Sequence, residues 1–178
     1  RLEIKGSYEP LNAEYRSFFA RFPVYGNKDK MELMLGDLER FNKNYQAAIM
    51  QYQKVYDIYP STKYKAASLR MLGDIYAGEL KDYNQAAYYY NGVIKNFPNS
   101  IEIATTYNHM AIMNDNQRDY SSAVENITKA AEAYLKTGQR AKAYEAFLYK
   151  ADLQNKKMKD YAGATDTLNK AAKLFAKD

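Results

Sequence analysis

The sequence predicts an all-α solenoid built from antiparallel helix hairpins, and three observations lead to this fold class. Prolines and glycines are few, 4 and 8 in 178 residues, which favours long helices over many short strands. Hydrophobic residues make up 47% of the chain, enough to bury a core. A tyrosine followed three positions later by an alanine recurs at intervals of 38, 37 and 41 residues, at Tyr45, Tyr83, Tyr120 and Tyr161. A period of this length is typical of helical repeats.

The second helix of each hairpin is predicted from the residues that follow this alanine. Large apolar residues come four positions after it and aromatic residues come eleven positions after it, so both fall on one helix face. The former are Tyr52, Tyr90, Ile127 and Leu168, and the latter are Tyr59, Phe97, Tyr134 and Phe175. We expect all of them to contribute to the core. In the first two repeats Pro60 and Pro98 follow directly and end the helix.

The first helix of each hairpin carries a small residue near its middle, where the two helices can approach closely. These residues are Gly36, Gly73, Ala111 and Ala151. Polar turns separate the two helices of each unit. Residues 1–178 are therefore expected to form one solenoid, with a half repeat at 1–23 and full repeats at 29–62, 66–100, 104–137 and 140–178.

These motifs resemble the tetratricopeptide repeat family. The residues that match its signature are Gly36, Ala48, Tyr52 and Pro60, and then Leu72, Gly73, Tyr76, Ala86, Tyr90 and Pro98. The third and fourth repeats depart from it, since both lack the final proline and the fourth has Lys150 in place of the usual leucine. The resemblance implies a right-handed superhelix whose concave groove receives a partner protein or peptide.

In this family the residue after the small residue of the first helix faces the groove. Asp37, Asp74 and Asp152 occupy this position, and Ile112 does so in the third repeat. The resemblance therefore implies a partner-binding groove made of Leu33, Asp37, Arg40, Arg70, Asp74, Asn108, Ile112, Leu148 and Asp152. The alternative is that each aspartate pairs with a lysine or arginine of the protein itself or faces water.

The sequence contains no recognisable catalytic or cofactor motif. Cysteine is absent and the single histidine, His109, has no second ligand type beside it, so it is interpreted as structural. No glycine-rich phosphate loop is present. The net charge of +5 is mild, and the basic residues at 156, 157 and 159 are interpreted as a solvated turn rather than a nucleic-acid site. We predict a protein that is not an enzyme and needs no cofactor.

The run Tyr88-Tyr89-Tyr90 is interpreted mainly as architecture. Tyr90 is the core residue, whereas Tyr88 and Tyr89 fall on the flanks of the helix, where a ring can cover a neighbouring helix while its hydroxyl stays in water.

The function predicted is that of a protein-binding adaptor. Helices that end in Tyr59-Pro60-Ser61-Thr62 and Phe97-Pro98-Asn99-Ser100 resemble the cell-envelope group of bacterial repeat proteins, which includes the Tol-Pal division coordinator and lipoproteins of outer-membrane assembly. This resemblance implies a periplasmic or outer-membrane-associated adaptor.

Three alternatives remain open. One is a cytosolic adaptor of the chaperone or vesicle-attachment type. Another is self-assembly, because the chain opens in mid-repeat and ends without a polar capping helix. The third is the repeat domain of an enzyme whose catalytic part lies outside this sequence. No apolar run approaches a membrane span, and a leader or anchor before Arg1 is left open.

Overall fold

The computed structural model describes residues 27–176, together with residues 13, 14, 17, 18, 20 and 21. The half repeat expected at 1–23 thus lies largely outside the described residues. Between residues 27 and 176 the chain forms helices and no strand, so the all-α class is confirmed. The helices are α1 (Lys28–Phe41), α2 (Tyr45–Ile58), α3 (Lys65–Gly78), α4 (Tyr83–Asn96), α5 (Glu102–Asn116), α6 (Tyr120–Lys136), α7 (Arg140–Asp152) and α8 (Tyr161–Phe175), with a π-helical segment, Leu153–Lys157, after α7.

The helices pack as four successive hairpins. Each odd-numbered helix lies against the even-numbered helix that follows it, and each hairpin packs on the next through α2 with α3, α4 with α5, and α6 with α7. The first helices of the second and third hairpins, α3 and α5, also touch each other directly. Packing of each hairpin on the next one along the chain is characteristic of a solenoid. None of the helices between residues 27 and 176 is long and apolar enough to span a lipid bilayer.

The turn inside each hairpin contains one basic residue with a positive φ. A basic residue in the left-handed region, Lys43, Lys81, Arg118 or Lys159, ends the first helix, with φ between 57° and 64°. The next residue begins the second helix. In the last three hairpins it is an aspartate whose carboxylate accepts a hydrogen bond from a backbone N–H three residues later, over 2.9 to 3.1 Å. This side-chain cap satisfies an otherwise unpaired donor and fixes where the helix begins.

The core is built from close approaches between the two helices of each hairpin. Gly36 lies against the ring of Tyr52, and Gly73 lies against the ring of Tyr90. A Cβ at these glycines would stand 2.4 and 2.5 Å from a ring carbon, so no larger residue fits without movement. The rings are almost fully buried, at 0% and 1% exposure. In the third hairpin Ala111 and Ile127 take the two places, and both are fully buried.

The prediction that Leu168 is a core residue is wrong. Its side chain is 47% exposed, whereas its neighbour Thr167 is 6% exposed. A π-helical segment, Leu153–Lys157, precedes α8. Gln154 of this segment is buried and accepts a hydrogen bond from the Thr167 hydroxyl over 2.7 Å. Thr167 thus faces the interior with a hydrogen-bond partner, and Leu168 lies on the outside of α8.

Candidate functional site

A groove runs across the first helices of the last three hairpins, α3, α5 and α7. It consists of two adjoining hollows of about 240 and 620 Å³, and both are lined by His109 and Ile112 of α5. The smaller hollow extends over Asp74 towards Arg40. The larger one extends to α7, where Lys142 and Glu145 line it. We call this surface the groove.

Asp74 lies in the wall of the groove and is fully occupied by bonds within the protein. Its carboxylate accepts hydrogen bonds from the Tyr90 hydroxyl over 2.9 Å and from Arg70, and it pairs with His109 Nδ1 over 2.6 Å. Burial alone would raise the pKa of Asp74, but the hydrogen bond and charge of His109, together with the charge of Arg70, hold that pKa below its usual value. Asp74 is therefore a buried anion with its partners already in place.

The two predicted groove arginines also form ion pairs within the protein. Arg40 binds Glu79 over 2.8 Å, and Arg70 binds Glu102 over 2.7 Å in addition to Asp74. Burial acts to lower the pKa of each guanidinium, and the hydrogen bonds and charges of the neighbouring carboxylates outweigh it and raise the pKa. Neither arginine is thus an unpaired cation waiting for a ligand.

Polar bonds connect each first helix to the next one along the solenoid. Arg40 of α1 reaches Glu79 at the end of α3, and Asp74 of α3 pairs with His109 of α5. The Tyr149 hydroxyl of α7 donates to Asp115 of α5 over 2.8 Å. Burial and the bond to Asp115 raise the pKa of Tyr149, so this hydroxyl keeps its proton. Together these bonds set the spacing between neighbouring hairpins and hence the shape of the groove.

The other two predicted aspartates have different surroundings. Asp37 is exposed, and its carboxylate accepts a hydrogen bond over 2.6 Å from the hydroxyl of Tyr52, whose ring is buried. Asp152 has a half-exposed carboxylate that pairs with Lys156 over 2.5 Å within the same stretch of helix. Neither lines the two hollows, so the structure does not bring the three aspartates together in the groove.

Among the predicted apolar residues, Leu33 is wrong as a groove residue. It is 8% exposed and belongs to the core around Tyr52, because it lies one turn before Gly36 on the side of α1 that packs on α2. Ile112 does line the groove and is 43% exposed. Leu148 is exposed on α7 but lies outside the lining of the hollows, whereas Asn108 is part of it.

The sequence reasoning missed several groove residues, namely Thr105, Tyr134, Lys142, Glu145 and Tyr149. For α5 and α7 the spacing of residues in the sequence could have predicted them. Thr105 and Asn108 lie three residues apart, as do Lys142 and Glu145, so each pair continues one helix face towards the N-terminus of its helix. The predicted groove residues, by contrast, came only from the turns around the small residue of each first helix. Among the described residues, no cluster of three or more histidine, aspartate or glutamate side chains has the arrangement of a metal site.

Comparison with known proteins agrees with this architecture. Residues 29–99, which span α1 to α4, match the tetratricopeptide repeat family model. The curated proteins searched include no match to the chain. Tetratricopeptide repeats generally mediate protein–protein interaction and are typically non-catalytic scaffolds. The first two hairpins thus match this family by sequence, and the described residues fold as an all-α solenoid of helix hairpins.

Proposed function

We propose that this protein is a non-catalytic scaffold that holds a segment of a partner protein in the groove. The observation that carries the proposal is the pair of adjoining hollows with an exposed apolar side chain, Ile112, where they meet. Ligand-binding clefts combine apolar side chains, whose burial supplies affinity, with a few polar groups that fix the orientation of the ligand.

The polar walls of the larger hollow have unused hydrogen-bonding capacity. Asn108 and Glu145 make no side-chain hydrogen bond or ion pair within residues 27–176, and the Lys142 ammonium lies over the ring of Tyr134 at 5.7 Å without a carboxylate partner there. The walls thus offer an amide, an anion and a cation to a bound segment. A partner segment of mixed charge with an apolar residue at its centre fits this arrangement.

The three aspartates have separate parts in this proposal. Asp74 positions the hairpins and shapes the groove, because its carboxylate already binds Arg70, Tyr90 and His109. Asp37 and Asp152 are more exposed, and we propose them as contacts for basic residues of the partner at the two edges of the surface. Charge-assisted bonds of this kind contribute mainly to specificity and to the rate of association.

Photo-cross-linking tests the proposal directly. A photoreactive amino acid is placed at Lys142 in the groove, and the same amino acid is placed at Glu125, an exposed position of α6, as the control. Each variant is irradiated in extracts of the source organism. We expect a defined partner to cross-link at position 142 and not at position 125, and Ile112→Glu to remove that product.

A matched control distinguishes loss of the binding surface from a general effect of the introduced charge on folding. Ile101→Glu introduces the same charge at an apolar residue that is even more exposed and lies outside the groove. It should leave the cross-link at position 142 intact. Equal labelling from positions 142 and 125, or a product that survives Ile112→Glu, would argue against the groove as the binding surface.

We further propose that the scaffold acts in a bacterial envelope, in the periplasm or at the outer membrane. The support is the resemblance of the turns at 59–62 and 97–100 to those of envelope repeat proteins. Fractionation of source cells with an antibody against this chain tests the location. Recovery with the periplasm or outer membrane would agree with it, and recovery in the cytosol would favour an adaptor of the chaperone or vesicle-attachment type.

Self-association is a second candidate function, and the outer surface of α8 favours it. Tyr161 and Leu168, which lie seven residues apart on one face of α8, are exposed there by 62% and 47%. Exposed apolar side chains that share a helix face can form an interaction site. Sedimentation of the protein at increasing concentration, compared with Leu168→Glu, decides the matter. A monomer at all concentrations would exclude this function for α8.

A further inference from the structure

A second cleft, separate from the groove, lies between the second helices α2 and α4. It measures about 520 Å³, with Leu69 and Leu72 of α3 among its lining residues. Three tyrosines, Tyr56, Tyr88 and Tyr89, also line it. This size falls within the range of small ligand and peptide pockets, about 300 to 1,000 Å³. We call it the tyrosine cleft.

Gly92 leaves the tyrosine cleft open without being required by packing. A Cβ at this position would meet its nearest side-chain atom, Leu69 Cδ1, at 3.4 Å, which is an ordinary contact. Gly36 and Gly73 differ, because there a Cβ would overlap a tyrosine ring. Gly92 lies inside α4, and glycine is the least favourable residue in a helix interior apart from proline. The helix therefore loses stability at a position where a side chain would fit.

The other hairpins have different residues at the positions of Tyr88, Tyr89 and Gly92. The residue two places after Tyr52, Ile127 and Leu168 is a lysine, Lys54, Lys129 or Lys170, where the second hairpin has Gly92. The positions of Tyr88 and Tyr89 correspond to Met50 and Gln51, Glu125 and Asn126, and Asp166 and Thr167. The aromatic side chains and the missing lysine thus coincide in one hairpin only.

The tyrosines of the cleft present flat, ordered surfaces. Tyr89 stacks on Tyr76 with ring centres 5.5 Å apart, and Tyr88 meets Tyr89 edge to face at 5.2 Å. Tyr88 is nonetheless 70% exposed, so most of its ring is available to a ligand. Two internally supported rings at an open cleft provide apolar area at little cost in side-chain entropy.

Gln53 donates to the Tyr89 hydroxyl over 3.3 Å, but several other polar side chains around the rings have no partner within the part of the chain that the structure describes. The side chains of Asn91, Lys95 and Asn96 line the cleft and make no hydrogen bond there, and the carboxylate of Asp57 forms no ion pair. The cleft therefore combines aromatic faces with several donors and one unpaired carboxylate.

From these features we propose that the tyrosine cleft binds a proline-rich segment of a partner protein that carries a basic residue beside its prolines. Proline rings pack on aromatic faces, and a polyproline II helix has no internal hydrogen bonds, so its carbonyls accept from side-chain donors such as Asn91, Lys95 and Asn96. Asp57 supplies the charge complementary to the basic residue. The site is independent of the groove and of any ligand bound there.

Selection of displayed peptides tests this proposal. A random peptide library is selected on the wild-type protein after counter-selection on Gly92→Lys, which restores the lysine of the other hairpins and places it across the cleft. Peptides that bind elsewhere, including in the groove, are removed in the first step. Those that remain are expected to contain two or more prolines and a basic residue. A consensus without proline, or no peptide that distinguishes the two proteins, would overturn the proposal.

Point variants then test the cleft with one selected peptide. Tyr88→Ala and Gly92→Lys should each weaken binding at least about tenfold, and Asp57→Asn about threefold. Gly92→Ala adds only a methyl group and should keep most of the affinity. Tyr144→Ala removes an exposed tyrosine that lies outside both the cleft and the groove, and it should leave the affinity unchanged. Since lysine is a better helix former than glycine, Gly92→Lys should unfold at the same temperature as the wild type or higher. Peptide affinity unaffected by Tyr88→Ala would contradict the site.

Discussion

In the first two hairpins a glycine of the first helix lies against a tyrosine ring of the second, whereas in the third hairpin an alanine faces an isoleucine. The pairs are Gly36 with Tyr52, Gly73 with Tyr90, and Ala111 with Ile127. All six residues are buried. Both arrangements fill the space between two helices, but the first brings a hydroxyl into the interior and the second does not.

The difference explains the position of two predicted groove aspartates. The hydroxyl of Tyr52 donates to Asp37, and that of Tyr90 donates to Asp74. Where Ile127 replaces the tyrosine, Ile112 replaces the aspartate. A buried hydroxyl without a partner is costly, so in the first two hairpins the aspartate serves as the acceptor of the tyrosine hydroxyl. An acidic residue that repeats along a solenoid can therefore serve packing before it serves binding.

The largest effect is expected from Tyr90→Ala, which should lower the free energy of unfolding by about 4 kcal/mol. The substitution leaves a cavity against Gly73 and removes a hydrogen-bond donor from Asp74. Ile127→Ala creates only the cavity and should cost about 3 kcal/mol. Denaturant titrations followed by far-ultraviolet circular dichroism measure both. A larger loss for Ile127→Ala would show that the hydroxyl network adds nothing.

Asp74→Asn is expected to cost about 3 kcal/mol at neutral pH, because it removes the anion that pairs with Arg70 and His109. The loss should depend on pH. The pKa of Asp74 is lower in the folded protein than its usual value of about 3.9. Its contribution is therefore present above that value and is lost as the pH falls through the folded-state pKa.

The comparison of Asp74→Asn with the wild type should thus be made from about pH 6 to about pH 3. The difference in unfolding free energy should be constant in the upper part of this range and shrink in the lower part. The same titration of Asp115→Asn provides the control, because this carboxylate binds the Tyr149 hydroxyl and forms no ion pair with any of the described residues. If the difference in unfolding free energy between Asp74→Asn and the wild type instead grows as the pH falls, the Asp74 carboxylate does not stabilise the fold as an anion.

Gly73→Ala is expected to cost about 2 kcal/mol, since the new methyl group would stand 2.5 Å from a carbon of the Tyr90 ring. The double variant Gly73→Ala with Tyr90→Ile copies the third hairpin and should lose less than the sum of the two single changes. Thermal or urea unfolding of the four proteins gives the coupling. Additive losses would mean that the glycine and the tyrosine are not matched to each other.

The same contrast between hairpins shows which features of the fold and of the groove could be predicted from the sequence. The fold class was predictable because alanines and aromatic residues recur with helical spacing at a fixed period, and packing of this kind depends only on neighbouring hairpins. The surroundings of the groove residues were less predictable. The spacing that places Leu33 near the groove also places it against α2, and periodicity alone does not say which contact prevails. The bonds of Asp74 to Arg70 and His109 depend on the separation of α3 and α5, which one hairpin's sequence does not encode.

Substitutions in the fourth hairpin are expected to change the free energy of unfolding least. This hairpin also shows that aligning the repeats does not always predict which residue is buried. Leu168 corresponds to Tyr90 and Ile127, yet it is half exposed, so Leu168→Ala should change the unfolding free energy by no more than about 0.5 kcal/mol. Thr167→Val keeps the volume of the neighbouring side chain but removes its hydrogen bond to Gln154, and should cost about 1 kcal/mol. Urea titrations of both variants test the order. A greater loss for Leu168→Ala than for Thr167→Val would mean that the leucine belongs to the core after all, and that α8 packs in the same register as α2, α4 and α6.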